Sequence, residues 1–369
     1  MMKHEKIKVA MITNHFGITG IGTVIMNYCK ALDKDKFDLT IIAGIPIAEQ
    51  YKREAKEYGI RIIVLPSRHD APQKHYVALY KALKVGHYDI VHDHGSSPMM
   101  AIELTLARLA RVKIRIAHCH SKVQNKKWKY KVLGTIFRHN YTKGLACSEL
   151  AGDWLFQKGN FQVLTNGFDT KNFRYNAEGR KKIRRQLNID GCYIIGHVGR
   201  FNEQKNQPFL LDVFKEVAIK RSDAKLLFVG TGPDFEKVQE LVSIHPNKDR
   251  IILYGESSEM ASLYSAMDVF VFPSKSEGLG LAAVEAQISG LSCIVSDEVP
   301  KEIVVSDNVT FISLNEPVST WANVIVNDFA PQKNREDFYS NNQLLISNYE
   351  MSHCIESLDT IYRQMVDEL

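Results

Sequence analysis

Short runs of β-branched and aromatic residues alternate with helix-forming stretches along this whole chain, and the alternation restarts near residue 166. The runs fall at Ile7–Thr13, Leu39–Ala43, Ile62–Leu65, Ile90–His92, Ile114–His118, Leu145–Cys147 and Val163–Thr165. A second series follows at Tyr193–Val198, Leu226–Val229, Ile251–Tyr254, Val269–Phe272, Cys293–Val295 and Thr310–Ile312. A helix between two strands returns the chain to the same sheet edge, so the strands run parallel and need helices on both faces. Two such series predict two doubly wound, Rossmann-like α/β domains, 1–168 and 191–349. Between them, 169–190 is polar and charged, follows an Asn166-Gly167 turn and carries a helix expected over Ala177–Leu187, so it reads as the hinge. Met351, Ile355, Leu358, Tyr362 and Met365 mark one face of a last helix, expected to cross back so that 350–369 joins the first domain.

A length of 369 residues suits two cores, and 45% hydrophobic with 24% charged residues is an ordinary globular balance. No apolar run is long enough to span a bilayer, and the N-terminus enters a strand without a signal-peptide core, so a cytoplasmic location is expected. The six cysteines are scattered without a C-x-x-C pair, which fits reduced thiols. A net charge of +5 singles out neither nucleic acid nor membrane.

The chemistry concentrates between Pro273 and Asp297. Phe270 to Phe272 form a strand ended by Pro273 and Ser274, and a helix follows Gly278 and Gly280. That helix is apolar except for Glu285, so the carboxylate needs hydrogen-bond donors. Glu277 lies just before it, beside amides that suit a phosphate. Phosphate flanked by hydroxyl-bearing rings describes a nucleotide sugar. Arg200 and Lys205 follow the first strand of the second series, where two cations invite a diphosphate. Gly230 and Gly232 end another strand, with room for a ring or a phosphate.

In the first series, Gly17, Gly20 and Gly22 precede a helix expected to start near Thr23. Their G-x-x-G-x-G spacing and the lack of an acidic residue after the second strand disfavour a nicotinamide site. The loop reads as a plain turn or as a close approach to substrate. His92 and His94, and His118 and His120, form two pairs on strand faces. With Asp93 and Cys119 they are ligand types that zinc accepts, but no metalloprotease spacing or cysteine pair accompanies them, so no metal is expected. His120, just past its strand, is assigned a hydrogen-bonding role near the reacting atoms, facing the expected interdomain cleft. No acidic residue falls between Glu103 and Glu149, while Lys126, Lys127, Trp128, Lys129 and Lys131 cluster there. That segment reads as a contact for an anionic bilayer or a phosphorylated acceptor, or equally as a solvated basic helix. No nucleic-acid motif accompanies it.

Taken in order, these residues resemble glycosyltransferase family 4, a retaining, nucleotide-sugar-dependent family of the GT-B fold, especially its bacterial capsular and exopolysaccharide branch. Glu277 and Glu285 match its E-x7-E motif, Arg200 and Lys205 its Arg and Lys pair, His120 its histidine, Gly20 and Gly22 its first loop, and Asn166 and Gly167 the bridge after that domain. The resemblance implies two domains facing across a cleft and a hexose moved from a nucleotide sugar, through UDP in that branch, to a glycan or lipid-linked glycan acceptor. It places Glu285 on the ribose, Glu277 on the donor sugar, and Arg200, Lys205 and the Leu279–Leu281 amides on the diphosphate. It implies no metal and no cofactor beyond the donor, and a protein at the inner membrane face. The chain departs where G-I-G-T replaces G-G followed by glutamate, and at Gln287 and Ser289, which bear on fit rather than chemistry. The alternatives are a sugar-nucleotide epimerase and an inactive membrane-associated scaffold of the same fold.

Overall fold

A computed structural model describes residues 6–17, 19–122, 129–157, 160–327 and 335–369. It divides into two compact units, one of residues 1–168 with 348–369, the other of 169–347. The first unit holds strands β1 (Ile7–Thr13), β2 (Phe37–Gly44), β3 (Arg61–Leu65), β4 (Ile90–Gly95), β5 (Ile114–Cys119), β6 (Lys143–Ala146) and β7 (Gln162–Val163). All pair in parallel, in the order β3-β2-β1-β4-β5-β6-β7. The second unit holds β8 (Tyr193–Val198), β9 (Ala224–Val229), β10 (Ile251–Leu253), β11 (Val269–Phe272), β12 (Ser292–Ser296) and β13 (Val309–Ile312), again all parallel, in the order β10-β9-β8-β11-β12-β13.

Each expected run is a strand, with ends shifted by at most three residues. Central strands are continuous apolar runs because helices cover both faces; Val269 to Phe272 are fully buried. Burying each of those Phe side chains contributes about 1.5–3 kcal/mol. In both sheets the order reverses beside the first strand of the series, between β1 and β4 and between β8 and β11. Helices leave in opposite directions there, which opens a crevice beyond the carboxyl ends of those strands.

The last helix, Met351–Asp367, packs Cys354, Leu358, Ile361 and Tyr362 into the core of the first unit, against residues such as Met11, Ile25 and Cys29. Their spacing puts all four on one helix face. The hinge reading of 169–190 is corrected. This stretch is built into the second unit, where its helix Ala177–Gln186 sends Arg180 and Arg184 to Asp268 at 2.7 and 3.3 Å. Arg184 also donates to the Ala266 carbonyl at 2.7 Å, so the charges that suggested a solvated linker serve an internal ion pair.

Candidate functional site

In the second unit the crevice lies between the loop after β8 and the loop after β11. The two loops are laced together: Lys275 N donates to Gln204 O at 2.8 Å, the Gln204 side chain donates to Ser276 O, and Asn206 Nδ2 donates to Pro273 O at 3.2 Å. Lacing brings Lys205 Nζ to 2.7 Å from Glu277 Oε1, with the ammonium 4.4 Å from the centroid of the Phe272 ring. Glu277 is 6% exposed, so Lys205 is what neutralises it. Removing either member leaves an uncompensated charge, which for fully buried pairs costs about 3–5 kcal/mol.

Gly280 precedes the helix Leu281–Ile288 at φ +91, a left-handed conformation that favours glycine, and no side chain caps the helix amides there. Partway along, Glu285 Oε2 accepts a hydrogen bond from the Tyr264 hydroxyl at 2.8 Å. Burial pushes the Glu285 carboxyl up to about 7, against the lowering pull of Tyr264 and Lys205. Arg200, in the loop after β8, is exposed; its carbonyl accepts from Gln207 Nε2 at 3.2 Å, and its side chain has no hydrogen bond among the described residues.

Gly230 and Gly232 pack closely against the loop after β8. A methyl on Gly230 falls 2.2 Å from the Gly199 carbonyl, and one on Gly232 falls 2.3 Å from the Phe201 carbonyl. Hydrogen bonds from Gly199 N to Val229 O (3.0 Å) and Phe201 N to Thr231 O (2.9 Å) draw the backbones together. These glycines seat the Arg200 loop. Gln287 and Ser289 likewise serve packing. Gln287 donates to Ala283 O and Ile303 O and accepts from Val305 N, while Ser289 accepts from Arg335 through both its carbonyl and its hydroxyl.

In the first unit the helix after β1 begins at Gly20, not near Thr23, because Thr19 caps it by accepting from Gly22 N. A methyl on Gly22 falls 2.3 Å from Gly17 O, so its bareness lets the loop fold onto the helix; Gly20 is exposed with nothing nearby. Across the crevice, the strand alternation of β4 and β5 points four histidines to one side. His92 Nδ1 lies 2.6 Å from the Tyr362 hydroxyl, His92 Nε2 lies 3.1 Å from His118 Nδ1, and His94 Nδ1 lies 2.9 Å from His120 Nε2. One nitrogen each from His92, His94 and His118 lies within 4.8 Å of the others, but both His92 nitrogens are already engaged. A hydrogen-bonded ladder describes this group. Burial holds all four below the usual imidazole range, His120 down to about 3, so they are neutral.

Of the basic segment, Lys126, Lys127 and Trp128 lie outside the described residues, while Lys129 and Lys131 fall in the helix Lys129–Asn140. One of its aromatics is core, Phe137 at 1% exposed, and the half-buried Tyr141 packs with it on Phe156, at 5.6 Å (Phe137) and 5.3 Å (Tyr141) between centroids. No helix among the described residues is long and apolar enough to cross a membrane. Nothing in the sequence ties Tyr264 or Gln204 to the glutamates, and Phe272 reads there only as a strand residue.

Residues 179–344 match the family model for glycosyl transferases group 1, and residues 18–172 match the model for glycosyltransferase family 4. The chain is 31% identical over 355 residues to the putative glycosyltransferase EpsF of Bacillus subtilis (strain 168), covering 91% of each. It is 27% identical over 315 residues, 80% of each chain, to the Escherichia coli UDP-Gal:alpha-D-GlcNAc-diphosphoundecaprenol alpha-1,3-galactosyltransferase. Its fold is similar to that of Anabaena HepE in complex with UDP-glucose, with a TM-score of 0.80 at 16% identity over 97% of this chain and 99% of that one.

Proposed function

The chain belongs to glycosyltransferase family 4, and from that premise we propose that it moves a hexose from a UDP-sugar to a lipid-linked glycan in bacterial surface-polysaccharide synthesis, with retention at the anomeric carbon. The contact between Lys205 and Glu277 carries this reading, because it joins the two halves of the donor motif across a switch-point crevice. Arg200 and Lys205 take the diphosphate, helped by the uncapped amides at Leu279 to Leu281. Glu277 then accepts from the sugar hydroxyls and Glu285 from the ribose. The acceptor hydroxyl attacks the face that the diphosphate leaves. As the glycosidic bond breaks, negative charge collects on the departing phosphate, which takes the acceptor's proton. Fixed cations stabilise that charge more than they stabilise the bound donor, and they supply without a metal the role a divalent ion would play. The acceptor class is supported by the E. coli relative, whose name gives a diphosphoundecaprenol-linked sugar as acceptor. Such acceptors place the reaction at the cytoplasmic face of the membrane.

UDP release from UDP-glucose, UDP-galactose and UDP-N-acetylglucosamine, measured with a diphosphoundecaprenol-linked sugar and with EDTA present, tests the reading. A charge-assisted hydrogen bond contributes about 1.5–3 kcal/mol, so Arg200→Ala is expected to slow turnover about tenfold to a hundredfold. Glu277→Gln is expected to lose at least as much. Wild-type rates in both variants, or an inverted anomer in the product, contradict it.

A further inference from the structure

His94 has no counterpart among the residues that the donor site uses, yet it holds one of them. His120 stands one residue beyond β5, and its backbone N donates to the Gly95 carbonyl at 3.0 Å, while its ring nitrogen Nε2 meets His94 Nδ1 at 2.9 Å. Two consecutive residues of β4 thus grip His120 by backbone and ring. The rings lie 5.2 Å apart at 19°, and His118 packs against His120 at 4.2 Å between centroids, tilted by 30°. Rotation of the His120 ring is therefore blocked by packing as well as by the hydrogen bond.

We infer that His94 is a positioning residue for His120, and that their hydrogen bond ties the tautomer of one ring to that of the other, so that Nδ1 of His120 carries a proton only when His94 Nδ1 donates. The inference rests on the role that the family resemblance implies for His120. A neutral imidazole carries one proton on two nitrogens. Two neutral rings joined by one hydrogen bond hold two protons on four nitrogens. If His94 Nδ1 donates, His120 Nε2 accepts and its proton sits on Nδ1. If His120 Nε2 donates instead, its Nδ1 keeps a bare lone pair and His94 carries its proton on Nε2. The two arrangements interconvert by moving one proton within each ring's pair of sites, with no change in total charge. His94 Nε2 and His120 Nδ1 are both buried without a partner among the described residues, so nothing else sets the tautomer. The surroundings leave charge out of the matter: the faces packed on the pair come from His92, His118 and Tyr28, and burial holds the two imidazoles neutral and the phenol protonated.

The test uses the full chain labelled with 15N at histidine. An N–N scalar coupling between His94 and His120 across the hydrogen bond, and complementary tautomers on the two rings, are expected in the wild type. In His94→Leu the coupling is lost, and kcat for UDP-sugar turnover falls about tenfold with donor KM within about twofold. His94→Asn, which keeps a hydrogen-bonding group near the Nδ1 position, restores most of kcat. In a His120→Ala background, His94→Leu has no further effect, since only coupled residues depart from additivity. Absence of the coupling in the wild type overturns the inference even if His94→Leu does not fold. So does an equal loss from His94→Leu in both backgrounds, or a His120→Ala enzyme at wild-type rate. A wild-type protein that releases UDP from no donor sinks the proposed function instead, and leaves the coupling measurement to judge the pair.

Discussion

Glu285 stands near its titration point at neutral pH, since burial lifts its carboxyl to about 7. Under the proposed function ribose hydroxyls donate to Glu285 and favour its ionised form, so that binding a UDP-sugar is expected to draw the proton off. The diphosphate of a UDP-sugar does not titrate in this range. For a group of this pKa about one site in ten is ionised at pH 6 and about nine in ten at pH 8, so donor affinity is expected to be about tenfold tighter at pH 8. Calorimetric Kd values at the two pH values check this. Glu285→Gln should bind more weakly and with a flat profile, and a flat profile in the wild type sinks the assignment. The four charged donor-site residues were legible because their types and spacing announce phosphate and hydroxyl chemistry. Tyr264 was not. Its hydroxyl reaches Glu285 from 21 positions away in sequence, on a different helix, and no local pattern encodes such a contact. The histidine ladder was legible only as pairs on strand faces. Its joining needed the β4 and β5 register, which sets His94 opposite His118.

At the scale of elements, the site depends on loops held against each other rather than on any one loop. The loop bearing Arg200 rests on the turn after β9, and Gly230, at φ +128, allows the contact. Gly230→Ala forces the Gly199 carbonyl away and strains the backbone as well. A loss of about 2–4 kcal/mol is expected, with kcat/KM for the donor falling more than tenfold as Arg200 moves. Gly191→Ala is the control: at φ +77 with nothing within 4 Å of the added methyl, it carries the strain alone, about 1 kcal/mol, and leaves turnover unchanged. Thermal melts with turnover assays separate the two, and equal effects on activity contradict the seating role of Gly230. The strands were legible because a buried parallel strand is a short β-branched run between turn residues. Where the reading failed, a specific contact had outweighed local composition. Thr19 capped the first helix earlier than the glycines suggested, and Asp268 drew two arginines of the expected hinge into the second unit.

Across the whole molecule, the buried titratable groups are unevenly shared between the units, and stability should respond to acid unevenly. In the first unit His92, His94, His118 and His120 are neutral when folded, whereas an unfolded histidine titrates near 6.5. The unfolded chain therefore binds more protons below that value, and stability is lost as pH falls. Four such groups give up on the order of 4 kcal/mol between pH 6.5 and 5.5. Asp93 works in the other direction. Burial and the nearby Glu103 raise its carboxyl well above the usual range, so it takes up protons more readily when folded than when unfolded and offsets part of that loss. Glu103, also raised, adds to Asp93, and His75, lowered by burial, adds to the four histidines. The histidines outnumber the carboxyls, so the first unit should lose stability over this interval. In the second unit His197, lowered to about 4, loses stability toward acid, while Glu285, raised to about 7, gains it, and the two nearly cancel. Hydrogen exchange at pD 5.5 and 7, corrected for intrinsic rates, should show β4 and β5 losing protection at the lower value while β8 and β11 hold theirs. Equal losses in both sheets would mean that the four histidines are not held neutral by the fold, and the ladder would then need charged partners that its packing does not provide.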